Sequence, residues 1–78
     1  MNAASHVRTA RTFRVSEQGG QWRVSRDGAV YGDFLTRGDA VRAACFGART
    51  QDAQGRPAQV VAAPGDQRIS HYDPHFGE

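Results

Sequence analysis

The chain contains no lysine. All ten of its basic residues are arginines, a bias that reads as the codon habit of a GC-rich genome rather than as a functional signal. It holds a single cysteine, Cys45, so an internal disulfide is excluded and a reducing, cytoplasmic setting is expected. No apolar run approaches the roughly 18 residues that a membrane-spanning helix needs. The start, "MNAASHVRTARTF", lacks the apolar centre of a secretory signal. Acidic residues number eight, which leaves a net charge of only +2. A strong nucleic-acid module usually carries a larger and more clustered excess.

What is present suits a small globular domain: 38 % hydrophobic and 23 % charged residues in a chain of 78. That length allows one domain, with a core too small to give more than marginal stability. Residues 1–10 have no period and are expected to form a flexible N-terminal tail. Residues 11–73 are expected to fold, with 74–78 as a C-terminal tail. "TFRVS" and "QWRVSR" both alternate apolar and polar residues around "EQGG", whose glycines suit a tight hairpin. Phe13, Val15, Trp22 and Val24 then point inward; Arg14 and Arg23 point outward. Asp27-Gly28 marks a second turn. "AVYGDF" (29–34) reads as a third strand or as an extended connection, because Gly32 weakens a strand.

A helix is expected from Thr36, with Asp39 in its first turn, to about Thr50. Phe34 or Leu35 is the candidate hydrophobic staple. Gly55 and Pro57 end any continuation. "AQVVAA" is a β-branched strand, "APGDQ" a turn and "RISHY" a return strand. The expected fold class is α+β: a four-stranded, mainly antiparallel sheet with one helix on one face, in the order β-β-α-β-β. At 3.6 residues per turn, Ala40, Val41, Ala44, Cys45 and Ala48 share an arc about 140° wide. They let the helix approach the sheet closely, with Trp22, Phe13 and Phe34 supplying the bulk of the core. Cys45 then behaves as a small core hydrophobe.

Phe46 lies about 100° beyond that arc, between Arg42 and Arg49. Such an Arg-Phe-Arg stripe either covers its own ring with arginine stems or anchors a partner. A second candidate surface is the open side of the sheet. If Arg68 and Tyr72 join Arg14 and Arg23 there, guanidinium groups and a ring offer charge and stacking to nucleic acid. His71, Asp73 and His75 alternate in "HYDPHF", a pattern suited to a divalent metal. Pro74 interrupts it and no fourth ligand is in sight, so no metal is expected. No nucleophile–base arrangement, paired carboxylates or phosphate-binding loop is legible, so neither an enzyme nor a cofactor is expected. The reading is a protein–protein interaction domain, with a homodimer as the first expectation and nucleic-acid binding by the sheet as the alternative.

Several of these residues also carry a resemblance. Gly20-x-Trp22-x-Val24, Thr36 opening a helix with Ala40, Val41, Ala44 and Ala48, a Val60-Val61 strand, Asp66-x-x-Ile69 and Tyr72-Asp73-Pro74 together resemble a small bacterial family of unknown function, number twenty-one eighty-eight in its series. The resemblance spans residues 12–74. It implies a β-β-α-β-β domain and no assigned activity. Residues 20–49 are also similar to the arm-binding domain of phage integrases, which lays its sheet in a DNA groove. That domain normally ends at its helix, whereas this chain continues into a second hairpin.

Overall fold

A computed structural model describes residues 11–72. They form an α+β unit with one helix and a five-stranded mixed sheet. The strands are β1 (Arg11–Gln18), β2 (Gln21–Arg26), β3 (Ala29–Phe34), β4 (Ala58–Ala62) and β5 (Gln67–Ile69), with helix α1 (Arg37–Ala53) between β3 and β4. The order across the sheet is β3-β2-β1-β4-β5.

The first hairpin forms as its alternation predicts. β1 and β2 pair antiparallel, with Val15 opposite Val24, around Gly19 and Gly20, both at positive φ. Two expectations need correction. First, residues 29–34 are a true strand, so the sheet has five strands rather than four. The Asp27-Gly28 turn makes this possible: both residues adopt positive φ, and Asp27 is fixed by two contacts. Its Oδ1 accepts from the Thr12 amide at 3.0 Å, and its Oδ2 accepts from Arg11 Nη1 at 3.3 Å. Second, β4 does not pair with its neighbours alone. It lies parallel to β1, with Phe13 opposite Val60, so the sheet is mixed. β1 is therefore the central strand.

α1 begins where the sequence places it. Thr36 is the N-cap, and its hydroxyl accepts from the Asp39 amide at 3.1 Å. The helix runs three residues past Thr50 and ends at Gln54, before Gly55 at positive φ. Ala40, Val41, Ala44, Cys45 and Ala48 are all fully buried, as the arc requires. They pack on Phe13, Val15, Val24, Val60 and Ala62 of the sheet. The bulk is distributed differently from expectation. Phe13 is the one large ring fully inside, and valines supply the rest. Trp22 and Phe34 face each other across β2 and β3 and pack only against the margin of the core. Leu35 does not staple the helix; it is exposed.

Two details shape the surfaces. The β2–β3 register slips between Val24 and Ser25, so Tyr31 has no partner on β2 and forms a bulge. Its ring meets Phe13 edge-on, with centroids 5.4 Å apart. At the other end, the Ala63–Pro64 peptide is cis, within the turn that joins β4 to β5. No helix among the described residues is long and apolar enough to cross a membrane.

Candidate functional site

The open side of the sheet takes its composition from the strand registers. Ser16 opposes Arg23, Arg23 opposes Asp33, Arg14 opposes Ser25 and Val61, and Val61 opposes Arg68. Opposed residues share a face, so Arg14, Arg23 and Arg68 do come together as the sequence suggests. Two of the three are compensated there. Arg23 binds Asp33 with a two-point contact of 2.8 and 3.2 Å, and Arg14 binds Asp66 at 3.3 and 3.4 Å. The Arg23 guanidinium holds the Asp33 carboxyl below its ordinary range through that hydrogen bond. Exposed pairs of this kind add little stability, about 0–1 kcal/mol, but they remove free positive charge from the face. Arg68 alone has no ion pair among the described residues.

Of the expected grouping, Tyr72 joins Arg68, with which it lines one groove, and it is tied to the last turn of α1. Its hydroxyl donates to Asp52 Oδ2 at 2.5 Å. The same oxygen accepts from His71 Nε2 at 2.8 Å, and Oδ1 accepts from the Ala58 amide at 3.1 Å. Arg49 Nη1 completes the cluster by donating to the His71 carbonyl at 2.8 Å. The His71 and Tyr72 rings lie against each other at a tilt of 37°, with centroids 4.6 Å apart. The bonds donated by Tyr72 and His71 keep the Asp52 carboxyl below its ordinary value, and the bond to Asp52 raises the Tyr72 phenol. An ionised Asp52 has no proton to give, so His71 Nε2 carries one. Asp52 thus joins the helix end, the start of β4 and the segment after β5.

This cluster borders a surface groove of about 520 Å³, lined by Ala58, Gln59, Arg68, Ile69, Ser70, His71 and Tyr72. Sequence reading grouped Arg68 with Tyr72 but did not show the groove, because its walls meet only when β5 folds back on β4 and the segment after β5 turns toward Ala58 and Gln59. One local signal for Asp52 was available. An acidic residue in the last turn of a helix faces the negative end of the helix dipole, and it needs another reason to be there.

The Arg-Phe-Arg stripe is only partly preserved. Phe46 is well exposed and Arg42 lies beside it, ion-paired with Asp39. Arg49 is half-buried and donates to the His71 carbonyl, which ties it to the segment after β5. Cys45 is fully buried, and burial pushes its thiol up to about 11, so it is protonated and shielded at neutral pH. Of the metal candidates, Asp73 and His75 lie outside the described residues and His71 is spent on Asp52. Among the described residues no group of potential ligands could hold a metal ion.

The exposed large hydrophobic residues are unevenly placed. They are Val30 (60 % exposed), Tyr31 (43 %), Leu35 (80 %), Phe46 (63 %) and Tyr72 (61 %). Tyr72 is hydrogen-bonded into the Asp52 cluster. Val30, Tyr31 and Leu35 sit on or just after edge strand β3. The Tyr31 hydroxyl also reaches α1 at Gly47, the residue next to Phe46.

Comparison with protein-family models, with curated proteins and with solved structures finds no match for this chain.

Proposed function

We propose that this domain acts by contact rather than by catalysis, and that it self-associates through the side of the molecule formed by β3 and the neighbouring surface of α1. The observation that carries this reading is the segregation just described. Tyr31 and Phe46 lie at Gly47 on the helix side of β3, Val30 stands opposite Ser25 on the other face of the same edge, and Leu35 follows the strand; all four are exposed, and Tyr31 also meets Phe13 of the core edge-on. Clusters of exposed apolar side chains on a small domain mark interaction surfaces. Among the described residues β3 is also a sheet edge, with its outer backbone groups unpaired. The bulge at Tyr31 breaks the regular pleat of that edge. Contact therefore runs through side chains rather than through a continuous strand ladder. A two-fold arrangement places the same patch on both copies and closes on itself.

Sedimentation velocity at increasing protein concentration and two salt concentrations tests this. A dimer that is insensitive to salt is expected, since the patch is apolar. Phe46→Ser and Val30→Ser should each shift the protein to monomer while leaving its circular dichroism unchanged. A strict monomer at high concentration, or a dimer indifferent to both substitutions, would sink the proposal.

A further inference from the structure

The groove beside Tyr72 lies at the opposite edge of the sheet from the apolar patch, at β5 rather than β3. Self-association leaves it unused. Its chemistry differs from that of the rest of the open face. Arg14 and Arg23 are locked to aspartates, whereas Arg68 has no ion pair among the described residues. Tyr72 is exposed, yet its ring is not loose: the phenol is held by Asp52 and the ring leans on His71 at a tilt of 37°. Tyr72 is therefore a flat aromatic surface fixed in advance, so little side-chain freedom is lost when a ligand stacks on it. Gln59 donates its amide to Thr12 Oγ1 at 2.9 Å, which orients its carbonyl oxygen as an acceptor beside the groove. The Asp52 carboxylate, which holds the Tyr72 phenol, is occupied by Tyr72, His71 and the Ala58 amide.

A fixed ring, a guanidinium with no carboxylate partner among the described residues and an oriented amide are complementary to one kind of ligand unit. It has a planar π-face to stack, a negative group within reach of that face and a polar edge. We propose that this groove binds a nucleobase–phosphate unit, with the base stacked on Tyr72, the phosphate on Arg68 and the base edge at Gln59. Aromatic stacking and a cation for the backbone are the two components of sequence-tolerant single-strand binding. The unit is supplied either by a free nucleotide or by a single-stranded nucleic acid. A duplex hides its base faces and does not fit. The site needs only one arginine, which reconciles it with the small net charge.

The test is a fluorescence-anisotropy titration of the whole chain at low ionic strength. The probes are a labelled single-stranded homopolymer, the matching duplex and a mononucleotide as competitor. Single-strand binding is expected, and raising the salt should weaken it. Tyr72→Leu should weaken it roughly 5- to 100-fold. Tyr72→Phe keeps the ring and should stay within about threefold, which separates stacking from the Asp52 bond. Arg68→Gln should reduce affinity, and Arg14→Gln should not, because Arg14 is already held by Asp66. Full competition by the mononucleotide identifies a free nucleotide as sufficient; competition only by the oligomer identifies a strand. Absence of binding at low salt overturns the proposal. So does equal affinity for duplex, or an Arg14→Gln loss matching that of Arg68→Gln.

Discussion

Gly47 is the residue on which the helix–sheet distance depends. It lies in the middle of α1, where glycine costs about 1 kcal/mol relative to alanine. Its justification is the space above it. A Cβ there would sit 2.7 Å from Phe13 Cε2 and 3.0 Å from Phe13 Cζ. Both atoms belong to a ring that is fully buried and held edge-on by Tyr31. The ring therefore cannot swing away, and overpacking of this kind costs typically about 1–3 kcal/mol. The two effects oppose each other, and the clash is the larger. Gly47→Ala should lower the thermal midpoint by several degrees despite its better helix propensity. A raised midpoint would mean that Phe13 has room to move. This requirement was hidden in the sequence because Gly47 sits among small residues that share its size but not its reason. Ala44 and Ala48 were legible as core from their spacing. The close approach at Gly47 depends on which ring lies above it, and spacing carries no such information.

At the scale of elements, α1 has two ends secured by different means. Its start is local: Thr36 and Asp39 are three residues apart, and the cap could be read directly. Its finish is not local. Asp52 binds Ala58, His71 and Tyr72, and only the completed fold brings them together. The pH dependence of this fastening follows from its two shifted groups. The folded-state pKa of Asp52 is below its ordinary value, so its contribution is present above about pH 4 and is lost as pH falls through the folded value. The Tyr72 pKa is raised. Its contribution is present below about pH 10 and is lost as pH rises through the folded value. The thermal midpoint of the native chain should exceed that of Asp52→Ala by a constant amount near neutrality. The gap should narrow on the acid and the alkaline side. A gap that stays constant into acid would show that the carboxylate charge is irrelevant. The strands divide in the same way as the helix ends. The β1–β2 hairpin was legible because two alternating runs flank a Gly-Gly turn. β3 was ambiguous because Gly32 and the shortness of the run weaken a strand, and the structure adds a bulge at Tyr31. β4 held a signal that went unread: Val60, Val61 and Ala62 are buried in succession, the pattern of a strand covered on both faces.

Taken whole, the molecule has one apolar flank at β3 and one polar groove at β5. If the apolar flank joins two copies, stability depends on protein concentration by mass action, because the dimer binds only folded chains. The unfolding midpoint should rise with concentration in the native protein and stay fixed in Phe46→Ser. A midpoint independent of concentration in both would argue against any dimer. The antiparallel neighbours of the sheet meet through short turns, whereas β1 meets β4 only across a separation of 47 residues, as in the pair Arg11 and Ala58. Such a contact is slow to form, because a long loop must close before the pairing is gained. This has a consequence during synthesis. The first hairpin and the helix emerge from the ribosome with the central strand still open along one side. That side is Phe13 and Val15 with their unpaired backbone, waiting for Val60 and Ala62. The nascent domain therefore acquires its core in one late step, after β4 has cleared the exit tunnel, and a chaperone that shields a bare strand edge has its window until then.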